Sequence, residues 1–388
     1  MARLGDVIEQ IRGVSYKPSD LKDTLNDNSV ILLRANNIQD GKIVLDDVLY
    51  VSKSKVNESQ YLRRGDILVC TSSGSKELVG KAAFVDEDLP AVFGAFCKVV
   101  RPKIECCKYV GHFFQSPYYR NYISAASAGA NINNLRNEHI ADLHIPLPPL
   151  DKQRKIAAVL DKVSSLIAKR RQQLDKLDDL VKSRFIEMFG VYPANPMGWE
   201  IGTIRDIVTE VRYGSSRPAV DGGKYPYLRM NNITYGGELD LSDTKRIDIP
   251  DNELDKCTVR RGDILFNRTN SKELVGKTCV YDRDEMMVLA GFVIRIRVKD
   301  RILPEFLSAF LNTDFSKQML LGMCKTAIGQ ANINAQELQN IGLYLPPVEL
   351  QRRFVQFKKE TDKSKLAIQK SLERLEILKK ALMQKYFG

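Results

Sequence analysis

The sequence predicts an α+β architecture: two globular domains and two long helices, with the helices paired as an antiparallel coiled coil of pseudo-twofold character. Three observations lead there. The first is an internal duplication. Arg63-Arg64-Gly65-Asp66-Ile67-Leu68 returns as Arg260-Arg261-Gly262-Asp263-Ile264-Leu265, and Ser75 to Lys81 returns unchanged as Ser271 to Lys277. Leu33-Arg34-Ala35-Asn36-Asn37-Ile38 returns as Leu228-Arg229-Met230-Asn231-Asn232-Ile233, and Ala130-Asn131-Ile132-Asn133 as Ala331-Asn332-Ile333-Asn334. The second is that 150–189 and 348–387 contain neither proline nor glycine. The third is that the rest of each copy mixes short β-like runs, brief helices and Gly/Ser/Asn-rich turns. The repeat is far longer than a solenoid unit, so the chain reads as two copies of one large unit that touches its target at two places.

In order, residues 1–149 form the first domain. Ile43 to Leu45, Asp66 to Cys70 and Cys97 to Val100 predict strands, and 109–127 predicts a helix. The first long helix belongs to the segment 150–190. Pro146, Pro148 and Pro149 precede it and Gly190 follows, the expected punctuation of a helix. Its seam, Ile156, Leu160, Val163, Ile167, Arg170, Leu174, Leu177, Val181 and, after Arg184, Met188, advances by threes and fours, as a coiled coil requires. Forty residues at about 1.5 Å each make a helix of roughly 60 Å, and so long and narrow an apolar stripe needs a partner helix. The second domain is 191–347, with strands at Ile264 to Phe266 and Phe292 to Val298 and a helix at 304–323. The second long helix lies in 348–388, with the looser seam Phe354, Phe357, Thr361, Ile368, Leu372, Leu375, Leu378, Leu382 and Tyr386, interrupted at Lys365.

Composition narrows the function classes. Charged residues make up 28% of the 388 and no apolar run reaches membrane-spanning length. Met1 to Asp6 carries no apolar signal core, so the expected location is the cytoplasm. Seven cysteines without metal-type spacing read as buried, reduced thiols. The net charge of +11 favours a polyanionic partner.

Catalytic motifs fail on inspection. Glu-Leu-Val-Gly-Lys looks like the end of a phosphate-binding loop, but in copy one Gly74 lies one residue too far from Gly80, and in copy two the residue six before Gly276 is Asn270. No Asn/Asp-Pro-Pro-aromatic tetrapeptide marks an adenine methyltransferase, and no metal site is evident. The chain reads as a binder that carries no cofactor. Candidate DNA-contacting residues are those whose side chains pair with base edges or phosphates. In the loops after the Gly-Asp-Ile-Leu strands they are Thr71, Ser72, Ser73 and Lys76, then Asn267, Arg268, Thr269 and Lys272. These loops differ between copies while their flanks agree. That fits either two different words read on one scaffold or ordinary turn drift. Arg34 with Asn36, and Arg229 with Asn231, suit either DNA contact or a structural turn. Tyr213, Ser215, Arg217 and Lys224 form a further candidate loop. Ala-Asn-Ile-Asn suits a domain–helix junction or a DNA contact.

The pattern resembles the specificity subunit of type I restriction-modification systems. The resemblance spans essentially the whole chain. It is carried by Gly65 to Leu68 and Val79-Gly80-Lys81 with their copies, by Pro148-Pro149 to Gln153 and Pro346-Pro347 to Gln351, and by Gly198-Trp199-Glu200. The first domain, opening at Leu4-Gly5-Asp6, lacks the Gly-Trp-Glu start. The resemblance implies two target-recognition domains, each reading one half of a bipartite, asymmetric site on double-stranded DNA. It implies helices that set the spacer and dock two methyltransferase subunits, and restriction subunits that complete the complex. S-adenosylmethionine, ATP and Mg would belong to those partners, and catalysis with them. The rival readings are a coiled-coil scaffold with protein-binding end domains and a stand-alone DNA methyltransferase.

Overall fold

The computed structural model describes residues 1–75, 77–127, 134–271, 274–327 and 330–388. The chain forms two compact units: Met1–Arg171 with Lys370–Gly388, and Gln172–Gln369.

In the first unit one four-stranded sheet has the order Ile8–Arg12, Cys97–Pro102, Ile67–Cys70, Ala82–Phe84, antiparallel throughout. A second has the order Ala91–Phe93, Ser29–Leu33, Leu49–Ser52, Leu21–Lys22, and its Ala91 and Ser29 strands are parallel. Strand residues alternate faces, and both faces of the first sheet are buried. Ile67, Val69 and Val100 meet a cluster with Tyr109, Val110, Phe113 and Ile123 from the helices, while Leu68, Cys70 and Val99 meet Leu33 and Phe93 of the second sheet. This is why Ile-Leu-Val-Cys is a continuous apolar run.

The second unit repeats the plan. Val208–Tyr213, Val293–Val298, Ile264–Asn267 and Thr278–Val280 make the first sheet; Lys245–Ile247, Tyr225–Leu228, Met287–Leu289 and Thr258–Val259 make the second. Ile264 and Phe266 face the helices, and Leu265 faces the second sheet. This unit also has a three-stranded ribbon of Thr269–Asn270, Gln330–Asn332 and Lys325–Ala327.

The shared motifs turn out to be fold devices. Asp66 accepts from the Arg63 amide at 2.9 Å and from Arg101 Nε and Nη2 at 2.7 and 2.8 Å. Asp263 accepts from the Arg260 amide at 2.9 Å and from Arg297 at 2.8 and 3.2 Å. Both carboxylates are buried, and their bonds hold the Arg101 and Arg297 guanidinium pKa values above the usual. Val-Gly-Lys is the turn between two strands. Gly80 and Gly276 have φ of +78° and +79° and donate to Cys70 O and Asn267 O, both at 2.8 Å. A Cβ there would come within 2.5 Å of Ile123 or 2.7 Å of Leu320.

The long helices span Leu150–Phe189 and Val348–Phe387, the ranges the proline and glycine pattern predicts. Their starts are locked by the glutamines of the repeated motif. Gln153 donates to Pro148 O and Gln351 to Pro346 O, both at 2.8 Å, and Gln351 also accepts from the Leu303 amide at 2.8 Å. Within the first unit, Ile156 and Leu160 share a core with Met383 and Phe387, and Arg171 donates to Glu376 at 2.9 Å, so these helix segments run in opposite directions. Within the second unit, Asp178 meets Lys365 at 2.7 Å, the Arg184 guanidinium lies over Phe357, and Phe185 packs edge-on to Phe354. These segments are antiparallel too.

Several expectations need correction. The helix expected over 109–127 is two, Cys107–Phe113 and Pro117–Ser127, and that over 304–323 is Pro304–Leu311 and Asp314–Met323. Proline disfavours helix at the residue before it, and the Thr313 hydroxyl caps a new start by accepting from Ser316 N. Of Ile43 to Leu45, only Ile43 is strand. Leu378 is 45% exposed, and Lys379 and Met383 take the inward positions. The helical repeat of 3.6 drifts past the 3.5 spacing of the apolar stripe, so the seam passes Leu378 by. Burial of Lys379 depresses its pKa. Lys365, which breaks the stripe, is instead held by Asp178 and Glu238.

Candidate nucleic-acid interface

In the first unit three loops meet at one end of the paired sheets. Strands Ala91–Phe93 and Ser29–Leu33 are parallel, so the chain leaves both at the same end, where Gly94 N donates to Leu33 O at 2.9 Å. The loop after Ile67–Cys70 joins them: Thr71 N and Ser72 N donate to Phe96 O at 2.9 and 3.1 Å. The second unit repeats two of these bonds: Ala290 N donates to Leu228 O at 2.8 Å and Arg268 N to Phe292 O at 3.0 Å; Gly291 N also donates to Ser215 O at 2.7 Å. Asp66–Arg101 and Asp263–Arg297 brace the strands that carry these loops.

The side chains on this shared frame differ. Arg268 stacks its guanidinium carbon 4.7 Å above the Tyr213 ring and donates from Nη1 to Gly291 O at 3.4 Å. Tyr213 is 43% exposed and its hydroxyl accepts from the Ala335 amide at 2.8 Å. Thr71 stands where Arg268 stands, buried, its hydroxyl donating to Phe96 O at 3.1 Å. Arg12, opposite Lys98, stands where Tyr213, opposite Ile294, stands in the second unit. Arg12 is exposed and has no ion pair among the described residues.

The remaining candidates divide by what already holds them. Arg34 donates to Asp47 at 2.9 Å and Asn36 to the same carboxylate at 2.7 Å. Arg229 donates to Asp243 at 2.8 Å, and Asn231 is exposed. The second asparagine of each motif is the turn's brace: Asn37 donates to Val44 O at 2.8 Å and Asn232 to Asp240 O at 2.8 Å. Arg217 makes a two-point pair with Glu253 at 3.1 and 2.7 Å, which raises its pKa. Lys224 lies 4.9 Å from the Tyr225 ring centre. Ser72 and Ser73 are half-buried, and the Ser73 hydroxyl accepts from the Ser75 amide. Lys76 and Lys272 lie outside the described residues.

Four candidates turn out to be interior. Asn267 is fully buried at a strand end, its amide donating to Leu274 O at 3.3 Å, so it braces the turn and presents nothing to a base. Thr71, Ser215 and Thr269 are also buried, with hydroxyls engaged by Phe96 O, the Arg217 amide and Asn332. Loop composition predicts polarity but not direction; the strand alternation that points Asn267 inward continues past the apolar residues.

The equivalence of the Ala-Asn-Ile-Asn segments also changes. Ser72 bridges Asn134 as Thr269 pairs with Asn332, and Leu135 N donates to Thr71 O as Ile333 N does to Arg268 O. Asn134-Leu135 therefore matches Asn332-Ile333, in the register of the Pro-Pro motifs. The first copy, Ala130 to Asn133, lies outside the described residues. In the second, Ala331 and Ile333 are buried and Asn334 caps the helix Ala335–Gln339, a structural role.

Phe96 and Phe292 were not among the candidates. The signal was present, since Phe follows Gly-Ala in one copy and Ala-Gly in the other, but apolar residues are discounted in a search for polar contacts.

Comparison with known proteins agrees with this architecture. The model of the type I restriction modification DNA specificity domain matches twice, at 1–178 and 196–378. The chain is 31% identical to the type I restriction enzyme EcoKI specificity subunit of Escherichia coli (strain K12), over all of this chain and 88% of that one. It is 29% identical to the StySPI specificity subunit of Salmonella potsdam, with the same coverage. The fold matches a chain from a study of complex assembly and conformational transition in a type I R-M system, with a TM-score of 0.55 at 19% identity, covering 100% of this chain and 99% of that one. It also matches the type I restriction-modification S subunit from M. genitalium, at 0.55 and 14% identity, covering 100% and 95%. The chain belongs to the type I restriction-modification specificity subunit family, with two copies of its DNA specificity domain.

Proposed function

We propose that each unit reads one half of a bipartite, asymmetric double-stranded DNA site. The observation that carries this is the shared frame with different side chains: two matching backbone bonds, Gly94 to Leu33 with Thr71 to Phe96 and Ala290 to Leu228 with Arg268 to Phe292, gather three loops in each unit, but Arg268 and Tyr213 in one stand where Thr71 and Arg12 stand in the other. One scaffold with two sets of readers recognises two different half-sites. Lys and Arg fix register on phosphates while loop side chains select bases. Arg34, Asn36, Ser72, Ser73, Lys76, Arg217, Lys224, Arg229, Asn231 and Lys272 join Arg268 and Tyr213 as proposed contacts.

The chain itself is non-catalytic in this reading. The long helices pair as an antiparallel coiled coil that sets the unread spacer and docks two methyltransferase subunits. Restriction subunits complete the complex, and S-adenosylmethionine, ATP and Mg serve those partners in the cytoplasm. The supporting observation is the antiparallel packing of helix segments within each unit.

Modified-base sequencing of genomic DNA, with and without this gene and with the methyltransferase partner expressed, tests the reading. A bipartite N6-methyladenine motif lost with the gene is the expected result. An unchanged methylation pattern in cells that contain the assembled complex overturns it.

A further inference from the structure

Of the fifteen phenylalanines, all among the described residues, only Phe96 and Phe292 are exposed, at 70% and 53%. They occupy the same place in the two units. Each lies in the turn that leaves the parallel strand of the second sheet and enters the central pair of the first, before Cys97–Pro102 and Val293–Val298. A single exposed apolar residue is ordinary. A ring held out of the core at the same turn of both copies, while the loops beside it diverge, calls for a partner.

The fold does not use the ring. What it uses is the carbonyl of the same residue, which accepts from Thr71 N in one unit and Arg268 N in the other, and any residue supplies that. The turn is pinned on both sides. Cys97 N donates to Gly94 O at 2.8 Å and Gly94 N to Leu33 O at 2.9 Å; Val293 N donates to Ala290 O at 2.9 Å and Gly291 N to Ser215 O at 2.7 Å. A pinned turn projects its ring with little further ordering cost on binding. The surroundings indicate the occupant. Arg268 donates to Gly291 O in the turn that carries Phe292, and Arg12, without an ion pair among the described residues, lies opposite Lys98, two residues beyond Phe96. An exposed aromatic ring in a turn that an arginine bonds, or that leads into a strand paired with one, suits a polyanion that also offers apolar surface.

We infer that Phe96 and Phe292 are DNA-contacting residues, one per half-site, each setting its ring against the apolar surface of a nucleotide. That surface is a deoxyribose, a thymine methyl or the face of a partly unstacked base. The inference rests on the DNA-reading function proposed above and adds an aromatic contact common to both half-sites.

The test uses the full chain assembled with its methyltransferase partners, and duplexes carrying the motif found by sequencing. Phe96→Ala and Phe292→Ala each weaken specific binding by about 10-fold, the scale of an aromatic–base contact. The slope of log Kd against log salt stays at the wild-type value, because no phosphate contact is lost. Phe96→Tyr and Phe292→Tyr, which keep the ring, bind as wild type, and all four variants melt as wild type does. Alanine variants that bind the site as tightly as the wild-type complex overturn the inference and leave the DNA-reading function standing. Alanine variants that lose the methyltransferase subunits, while the assembled remainder binds DNA normally, overturn it in favour of a protein contact. A wild-type complex that prefers no sequence removes the DNA-reading function, and this inference with it.

Discussion

The guanidinium of Arg268 lies 4.7 Å above the ring of Tyr213, with a backbone carbonyl of the Phe292 turn at its edge. Stacking holds the planar fork in one orientation, and a fixed fork matches the two acceptors of a guanine edge, the contact proposed for it. Arg268→Ala is expected to weaken the specific complex by about 1–3 kcal/mol and to relax selectivity at one base pair of one half-site. Arg268→Lys, which keeps the charge but has no planar fork to be held by stacking, recovers only part of the loss. Methylation sequencing and binding to singly substituted duplexes read both effects. Equal discrimination by wild type and Arg268→Ala at every position refutes the assignment.

Asp263 and Arg297 predict stability without specificity. Removing one partner of a buried pair costs several kcal/mol, about 3–5 where the other charge is left without compensation; Arg297 keeps Glu210 at 3.2 Å, so the loss at Asp263 falls below that range. Asp263→Ala should therefore lower the denaturation midpoint sharply, and Asp66→Ala should do the same through Arg101. Any folded fraction should keep the wild-type recognition sequence. A changed sequence preference would show instead that the aspartates act in reading.

Gly276 illustrates a turn that tolerates no side chain. Its φ of +79° is costly for other residues, and a Cβ would meet Leu320 at 2.7 Å. Gly276→Ala should cost more than about 1 kcal/mol in chemical denaturation. Gly74→Ala, where nothing lies within 4 Å of the added carbon and φ is ordinary, should cost little.

The far end of the sequence is predicted to stabilise the first unit. Phe387 is buried beside Tyr109 and Phe113, at 5.1 and 5.8 Å between ring centres. Phe387→Ala should cost about 3–5 kcal/mol. Hydrogen exchange should show the loosening around 107–127, not in the second unit. Uniform loosening of both units would count against the packing described.

Lys317 supplies a pH dependence. Burial, then the charge of Lys277, push its pKa down to about 8, while its Nζ donates to Gly276 O at 2.7 Å. The unfolded value is about 10.4. Between those values the unfolded chain holds a proton that the folded chain has released, so stability rises with pH; below about 8 both states are protonated and the term is constant. The wild-type denaturation midpoint should climb relative to that of Lys317→Met between pH 8 and 10. A flat difference would mean that the ammonium is not desolvated.

Much of this was legible in local chemistry. The long helices fell where proline and glycine bracket them, because helix ends are set by residues within a turn of the boundary. The breaks at Pro117 and Thr313 carry equally local signals that an apolar rhythm alone passes over. Leu378 and Lys379 were not legible, since which face turns inward depends on what the helix packs against. The same holds for Asn267, Thr71, Ser215 and Thr269, whose polarity matched DNA contact but whose side chains point inside.

By itself, then, the sequence determined the duplication, the helix spans and the strand runs, since each arises from residues near one another in the chain. Tertiary structure decided which polar groups are spent as braces and which reach the surface. It set Arg12 opposite Lys98 and Tyr213 opposite Ile294, and it brought Phe96 and Phe292 beside the loops that follow Ile67–Cys70 and Ile264–Asn267. Those relationships come from strand register between segments separated by dozens of residues. Register is fixed by the packing of both faces of a sheet at once, which no single stretch of the chain encodes.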